Sequence, residues 1–407
     1  MSLRAGTATT DITPPPGSRM AAFPDGPDRI PRRAEGTLDP VKVRAVALND
    51  GREQILLACA DLCIIREESL QRIRETVSRR LSGVKPGNIL VAVSHTHAGP
   101  ETSFLFGAAP DDPAVLDIET RITETLVQAH QDLEPVDFSW GRAELALTHN
   151  RRVVNTEGRA AMICEYQEGH TIGPVDPELL VMRFTAPDGS HKALLYHYTA
   201  HALTLGRANR LYSADYPGRA SRLLEDALPG CTALFLNGAA GNVHPRQCMR
   251  HDAKALETIG RAVGTAALQA AGKTRPVASP RLSIATDHLQ FTNRADPSLR
   301  VNVEIDLVRI GPVMLGFVPG EFFVEFQLRF KQAVAPRPAT LVGYANGWPG
   351  YVPTQAAYAA GGYGVDLAEN DPARYSRTAL PPGAGEQIMA RLTERVREAC
   401  DEKKEDL

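Results

Sequence analysis

The sequence of 407 residues predicts an α/β fold: a largely parallel or mixed sheet flanked by helices, followed by a smaller β-rich C-terminal part. Up to about residue 271, apolar runs of strand length alternate with amphipathic segments of helix length. From residue 281, strand-like runs follow one another with Gly and Pro between them. This change predicts a division into residues 1–278, which carry the histidines of the site, and 279–407, which complete it. One continuous catalytic domain is the alternative.

The elements of the first part follow from local patterns. The run "VKVRAVALNDGREQILLACADL" predicts a hairpin, with Asn49-Asp50-Gly51 as its turn. Apolar residues at 70, 73, 77 and 81 recur at helical spacing. The order continues with a strand at 88–97, a helix at 113–133, a strand at 192–205, a helix at 217–228, a strand at 232–245 and a helix at 253–271.

The C-terminal part is predicted to contain strands at 281–291, 301–311 and 312–321, a helix at 322–333 and a strand at 339–348. Residues 349–383 are rich in Gly, Pro, Ala and Tyr without periodicity, which predicts a long loop at the surface or the active site. A final amphipathic helix at 384–400 precedes a charged tail that we expect to fray.

Composition excludes several classes of function. The chain is 43% hydrophobic and 23% charged, and its net charge of -3 without long charge runs argues against a nucleic-acid or anionic-membrane partner. No apolar stretch approaches about 20 residues, so we expect a cytoplasmic protein with a small-molecule partner and no stable membrane association. The six cysteines lack C-x-x-C spacing, so a metal would be held by His, carboxylate or Tyr. The oligomeric state is left open.

The stretch "VAVSHTHAGP" places two histidines at the end of an apolar strand. His95 and His97 are two residues apart, so both imidazoles would project from the same face of the strand. Gly99 and Pro100 then end the strand, at the position where α/β folds place their sites. The alternative is a polar strand end with two solvated histidines.

Three other strand ends carry polar residues. His201 follows His197 in "HYTAHALTLG" and lies nearer the loop, which makes it the better ligand candidate. Glu321 follows an apolar strand in "LGFVPGEFF", where a helix N-cap is the alternative. In "FLNGAAGNVHP", the backbone around Gly238 and Gly241, together with Asn242, could cradle an oxyanion. Two histidines and one glutamate from separate strand ends suit a catalytic Zn²⁺, which favours hydrolysis.

Six stretches, in order, resemble the catalytic domain of the neutral, non-lysosomal ceramidases, zinc-dependent amidases that cleave the N-acyl bond of ceramide. They are "GTATTDITPPPG", "SHTHAGP", "HNRR", "TAHALTLGRANRLYSADYPGRAS", "FLNGAAGNVHP", and "VPGE" followed by "GYANGWPGYVPT". The resemblance implies one zinc ion per chain, with His95, His201, Glu321 and Tyr351 as its ligands. It also implies that Arg151, in the N-R motif, binds the carbonyl region of the substrate.

The chain departs from this family at the position of the nucleophile. Where ceramidases carry G-D-V-S-P, with Ser as the proposed nucleophile, this sequence has Gly241-Asn242-Val243-His244-Pro245. A covalent intermediate is then not required. The C-terminal immunoglobulin-like domain of typical ceramidases, a leader and an apolar helical insertion are also not found, so we expect a small soluble substrate rather than ceramide in a bilayer.

The sequence therefore predicts a zinc-dependent hydrolase that cleaves an amide, or an ester or lactone, with a metal-activated water. His97 and His244 are candidates for the proton shuttle, with metal ligation as the alternative for each. Asp215 is either a helix N-cap or a residue that orients a ligand histidine. A ceramidase or N-acyl-lipid amidase, and a non-catalytic metal-containing binding protein, are the competing hypotheses.

Overall fold

The computed structural model describes residues 2–25, 30–170, 172–366 and 379–401. Within these ranges a short 3₁₀ turn covers Pro86–Asn88. The helices are α1 Glu67–Arg80, α2 Pro113–Gln131, α3 Asp215–Ala227, α4 Lys254–Ala271, α5 Val324–Val334, α6 Gln355–Ala360 and α7 Ala384–Asp401.

The strands are, in chain order, β1 Arg4–Asp11, β2 Gly36–Thr37, β3 Lys42–Asn49, β4 Gln54–Ala60, β5 Ile89–Val93, β6 Glu134–Pro135, β7 Asp137–Glu144, β8 Thr148–Asn150, β9 Arg152–Val154, β10 Ala160–Met162, β11 Glu178–Thr185, β12 His191–Tyr198, β13 Leu211–Tyr212, β14 Thr232–Asn237, β15 Val243–Pro245, β16 Arg275–Pro276, β17 Leu282–Thr292, β18 Arg300–Ile310, β19 Val313–Phe317, β20 Glu321–Phe322, β21 Ala339–Val342 and β22 Tyr351–Val352.

Three larger sheets are built from these strands, and all three are mixed. The first has the order β5-β4-β3-β1-β6, the second β14-β12-β11-β7-β16 and the third β17-β18-β19-β21. One edge of each sheet is a parallel pair, namely β4/β5, β12/β14 and β19/β21, and the other pairs are antiparallel. Parallel neighbours need a crossover connection, and α1, α3 and α5 supply it.

The sheets and helices form four layers. Helices α1 and α2 cover one face of the first sheet, with Ile73 and Ile122 in the shared core. The opposite face packs on the second and third sheets through a cluster that contains Leu57, Leu195 and Leu315. Helices α3 and α4 cover the second sheet, and α5 and α7 cover the third. The core thus extends continuously beneath the strand ends.

The α/β class and the mixed sheet are confirmed, and so are the hairpin β3–β4 and the helices α1 to α5 and α7. The strand β1 was not predicted, because its Thr-rich and Gly-containing sequence lacks a clear alternation. The expected loop at 349–383 contains β22 and α6, and residues 367–378 of that prediction lie outside the described ranges, as do residues 402–407 of the tail. The division at residue 278 stays a prediction.

A buried polar network joins the third sheet to the first beside the site. Asn346 accepts a hydrogen bond from the backbone N–H of Val91 in β5 (2.9 Å) and donates one to Asp306 in β18 (2.8 Å). Asp306 also accepts from the hydroxyl of Thr286 (2.6 Å). Burial and the nearby Glu304 raise the pKa of the Asp306 carboxyl to about 7. This network fixes the position of β5 relative to the loop that follows β21.

Replacing Asp306 with Asn should flatten the pH dependence of the free energy of unfolding. The folded-state pKa lies above the unfolded value of about 4, so stability from this group is complete below that pH and is lost as the pH rises to about 7. The free energy of unfolding can be measured with denaturant at pH 5, 6 and 7 in the presence of a chelator. It should decrease more steeply with pH for the native chain than for Asp306→Asn, by up to about 1.4 kcal/mol per pH unit. Equal slopes would contradict this assignment.

Candidate active site

The carboxyl ends of the three parallel edges meet at one place. The strand β5 is followed by His95, β12 by His201, and β19 by the turn that leads to Glu321. Backbone hydrogen bonds join these ends, from Val93 N to the carbonyl of Tyr344 (3.1 Å) and from Gly343 N to the carbonyl of Asn237 (3.0 Å). The topology therefore brings together residues that are more than 100 positions apart in sequence.

His95, His201 and Glu321 form a buried cluster that could hold a metal ion. Glu321 Oε2 lies 3.3 Å from His201 Nε2 and 3.6 Å from His95 Nε2. Two ligand atoms on a tetrahedral zinc ion, at bond lengths near 2.1 Å, are about 3.4 Å apart. These separations match that geometry.

The orientation of both imidazoles is fixed by backbone carbonyls. His95 Nδ1 donates to the carbonyl of Cys63 (2.7 Å), and His201 Nδ1 donates to the carbonyl of Ala240 (2.7 Å). In a neutral imidazole this leaves the lone pair on Nε2, the atom that faces Glu321. His201 Nε2 and Glu321 Oε2 are buried and have no hydrogen-bond partner among the described residues, which is rare for polar atoms in an interior. The residues present therefore fit a metal ion.

The two histidines determine the charge state of Glu321 in the cluster. Burial alone would raise the pKa of Glu321, but His95 and His201 outweigh it and hold that pKa well below the usual range. Burial and the cationic Arg151 lower the pKa of His201 to about 4. Burial also lowers the pKa of His95, but Cys63 and Glu321 outweigh it and raise the value to about 10. The cluster thus contains an ionised carboxylate and at least one neutral imidazole.

His95 also belongs to a second group of potential ligands, with Cys63 and His97. Cys63 Sγ is 3.9 Å from His95 Nδ1, the nitrogen that already donates to the Cys63 carbonyl. A metal on that side would compete with this hydrogen bond, so the set with His201 and Glu321 is the better candidate. The position of the Cys63 thiol next to His95 was not predicted, because it depends on how the chain turns after β4.

His97 is adjacent to His95 at the edge of the cluster. Its Nε2 is 3.2 Å from His95 Nε2, and its buried Nδ1 has no partner in the described part of the chain. Burial and the adjacent His95 hold the pKa of His97 well below its ordinary value, so the ring is neutral. A neutral imidazole next to the candidate metal ligands can accept or pass on a proton.

Arg151 is buried and occupies the other side of the cluster. It donates to His244 Nε2 (2.9 Å), to the carbonyl of Gly241 (2.5 Å) and to the hydroxyl of Tyr351 (3.2 Å). The rings of Tyr351 and Tyr363 lie 5.5 and 5.0 Å from its guanidinium carbon. Tyr351 pairs with Glu321 across β20 and β22, so both side chains leave the same face of that ribbon. Metal ligation by Tyr351 stays a prediction.

His244 is brought to the site, but its contacts differ from those of a base. Its Nε2 accepts from Arg151, which places the remaining proton on Nδ1, 3.5 Å from Cys248 Sγ. Burial and Arg151 lower its pKa well below the ordinary value. Because its lone pair is already engaged, this geometry favours a role in holding Arg151 over the predicted proton shuttle.

The predicted oxyanion cradle at 238–242 is corrected by the structure. Gly238 N donates to the carbonyl of Tyr198 (3.2 Å) and Gly241 N to that of Phe322 (2.8 Å), so neither N–H is available to a ligand. The Asn242 side chain accepts from Val324 N (2.8 Å) and donates to Glu325 (2.9 Å), which ties it to the start of α5. The loop serves as buried scaffold because its backbone groups are used by the surrounding strands.

Asp215 has neither of the predicted roles, since Ala214 is the N-cap of α3 and the Asp215 carboxylate makes no hydrogen bond to a candidate ligand histidine. Its buried carboxylate accepts from the backbone N–H groups of Thr204, Leu205 and Tyr216, and from the Thr204 hydroxyl. Asp215 is the first residue of α3 and has a positive φ of 56°. It holds the segment that follows His201, three residues along the chain, and acts on the site only through that backbone.

A cavity of about 280 Å³ opens onto the cluster. It brings together the predicted residues His95, His97, Arg151, His244, Glu321 and Tyr351. Its apolar wall includes Phe23, Ile64, Leu105, Phe106, Leu203, Met249 and Trp348, and Arg207 lines it as well. These residues were missed, because they come from irregular loops in which the sequence shows no periodic signal. The positive φ values of Ala22, Phe23, His95 and Met249 are typical of backbone strain at a functional site.

The fold and the cluster together define a member of a known enzyme family. Residues 4–245 match the family of neutral/alkaline non-lysosomal ceramidases, N-terminal domain, and the chain belongs to that family. It is 25% identical over 234 residues to neutral ceramidase 2 of Arabidopsis thaliana, across 54% of this chain and 28% of that protein. The chain thus spans less than a third of the length of this curated relative.

Two solved structures share the fold over nearly the whole chain. The crystal structure of neutral ceramidase from Pseudomonas aeruginosa matches with a TM-score of 0.79 and 18% identity, covering 97% of this chain and 74% of that one. A ceramidase complexed with C2 matches with a TM-score of 0.82 and 17% identity, covering 99% and 76%. Among the described residues, no helix combines the length and apolarity needed to cross a bilayer.

Replacing Gly241 with Ala should reduce metal occupancy. A Cβ at this position would lie 2.3 Å from the carbonyl oxygen of Glu321, so the strand that carries this candidate ligand must shift. We expect metal affinity to fall about 10- to 100-fold, as for a disturbed ligand support, measured by zinc competition with a chromogenic chelator. Gly87→Ala is the control, since its Cβ would meet only Thr286 Oγ1 at 3.8 Å. Unchanged affinity in Gly241→Ala would contradict the prediction.

Proposed function

We propose that this protein is a zinc-dependent hydrolase that cleaves an amide bond, or an ester or lactone, of a small soluble substrate. The observation that carries the proposal is the buried set of His95, His201 and Glu321, in which two ligand atoms lack a hydrogen-bond partner among the described residues. Membership of the ceramidase family supports hydrolysis of a non-peptide C–N bond as the reaction class.

His95, His201 and Glu321 would hold the zinc ion, which would supply a lowered pKa for its bound water and polarisation of a carbonyl oxygen. Arg151 uses three of its N–H groups within the protein, which leaves donors for the oxygen of a substrate carbonyl. His97, neutral and adjacent to His95, can take a proton and return it to the leaving amine or alcohol. His244 keeps Arg151 in place through its Nε2.

The size of the cavity supports a small substrate over a long-chain ceramide. The relatives are named as ceramidases, which makes ceramide the competing substrate. A cavity of about 280 Å³ is slightly smaller than the usual range for ligand sites, roughly 300 to 1,000 Å³. His244 also fills the position at which the resemblance places a serine, with a larger side chain that is fixed on Arg151.

The direct test is a panel of short amides, esters and lactones, with a long-chain ceramide included, assayed on the purified zinc-loaded protein. We expect turnover of a small amide or ester and none of the ceramide. Efficient cleavage of ceramide would overturn the small-substrate proposal. Bound zinc without turnover of any compound would favour a metal-containing binding protein.

His201→Ala should lose the metal. The native protein is expected to carry close to one zinc per chain, and a site of three or four ligands tolerates loss of a central imidazole poorly. Metal analysis after gel filtration measures the effect. His197→Asn is the matched control, since His197 lies four residues earlier and contacts the carbonyl of Leu341 (2.9 Å) instead. Full zinc content in His201→Ala would show that the ligand set is wrong.

Replacing His97 with Ala should lower kcat by about 10²- to 10⁴-fold while zinc content stays intact, if this imidazole moves the proton. A parallel loss of zinc would make His97 a ligand instead.

For His244, the expected pattern is different. His244→Ala should lower kcat/KM by releasing Arg151, and His244→Gln, which keeps an acceptor, should restore much of it. Steady-state kinetics of both variants, with zinc content as the control, distinguish this role from a base. If Ala and Gln are equally impaired, His244 does not act through Arg151.

Turnover should proceed without an acyl-enzyme, because no serine stands at position 244. Pre-steady-state kinetics should show no burst, and mass spectrometry of the protein during turnover should show no acyl adduct. A trapped adduct would overturn this part of the mechanism.

A further inference from the structure

From the charges that line the cavity, and on the basis of the proposed hydrolase function, we infer that the substrate is a small amide that carries a carboxylate and an apolar or aromatic acyl group. Arg207 at the cavity wall would bind the carboxylate.

The charge balance of the cavity is the first argument. Glu321 is the only carboxylate among the described residues that line it, and that side chain faces His95 and His201. Arg151 and Arg207 are the cations. A metal ion would add positive charge, so the cavity is electropositive and favours an anionic ligand.

The second argument is that the guanidinium of Arg207 has no partner among the described residues. Arg207 is exposed and lines the cavity, and its side chain makes no hydrogen bond or ion pair with any residue in the described ranges. Its neighbour Arg210, in contrast, is paired with Asp25 through two contacts of 2.8 and 2.9 Å. A planar guanidinium whose donors have no partner in the described part of the chain is suited to bidentate binding of a carboxylate.

The backbone of the loop that carries Arg207 is held in place by hydrogen bonds from Arg32. The buried guanidinium of Arg32 donates to the carbonyls of Asn209 (2.8 Å), Ala21 (2.7 Å) and His97 (2.7 Å). It also approaches the carbonyl of Arg207 (3.5 Å). Arg32 thereby ties the Arg207 loop to the loop of Phe23 and to the backbone of the His97 segment.

The apolar wall is the third argument. Phe23, Phe106 and Trp348 supply aromatic surface in a cavity of about 280 Å³, which fits a short acyl or aryl group. With Arg151 beside the cluster for the scissile carbonyl and Arg207 for a carboxylate, the cavity has a polar group for each end of an N-acyl amino acid. The exposed position of Arg207 places the carboxylate on the leaving amine, toward solvent.

The test uses two probes of nearly equal size, the anionic N-benzoylglycine and the neutral N-benzoylethanolamine, on the zinc-loaded full chain. We expect kcat/KM to be at least 10-fold higher for N-benzoylglycine than for N-benzoylethanolamine. This preference should decrease with added salt, because Arg207 is exposed and salt screens its charge. Arg207→Gln should abolish the preference and Arg207→Lys should retain part of it. Arg222→Gln is the matched control, since Arg222 is an exposed arginine on α3, outside the cavity.

Calorimetric binding of both probes keeps the inference testable if neither is hydrolysed. Tighter binding of N-benzoylglycine that is lost in Arg207→Gln supports the carboxylate site even then, and the absence of turnover counts against the proposed hydrolase for these substrates alone. Equal kcat/KM and equal affinity for the two probes would overturn the inference, and so would a preference that persists in Arg207→Gln. In either case, hydrolysis of an amide by the protein would still support the proposed function.

Discussion

The close approach of the 238–242 backbone to the strand of Glu321 is the constraint on which the site depends. The carbonyl of Ala240 orients His201, and the N–H of Gly241 fixes the ribbon that starts at Glu321. The carbonyl of Gly241 receives Arg151. A side chain at Gly241 would collide with the Glu321 carbonyl at 2.3 Å. One loop therefore sets two of the three candidate ligands and the buried arginine, using backbone groups alone.

Local physical patterns made much of this architecture predictable. Apolar periodicity and apolar runs predicted most of the helices and most of the longer strands, although not β1, β7 or β11. The polar residues directly after strands predicted where His95, His201 and Glu321 would lie. What the sequence did not show is that these strand ends belong to three separate sheets, whose ends are joined by backbone hydrogen bonds. The three parallel pairs are at sheet edges, and each contributes one of these residues.

The remaining features depend on contacts that no short window of sequence contains. The glycines at 238 and 241 suggested an open anion cradle, but their N–H groups are taken by Tyr198 and Phe322, which lie 40 and more residues away. Arg207 belongs to an irregular loop, and its place in the cavity wall depends on the distant Arg32. A glycine-rich loop has the same local sequence whether it binds a ligand or a neighbouring strand, so only the assembled core distinguishes the two.

The contacts of His244 explain how this site could work without the serine of the resembled family. A hydroxyl at this position could act as a nucleophile, whereas a neutral imidazole whose lone pair accepts from Arg151 cannot attack a carbonyl without breaking that bond. The same hydrogen bond directs the guanidinium toward Tyr351 and the metal candidates. In the proposed function, His244 therefore has an electrostatic role rather than a covalent one, and bond cleavage would depend on water, His97 and the candidate metal ligands.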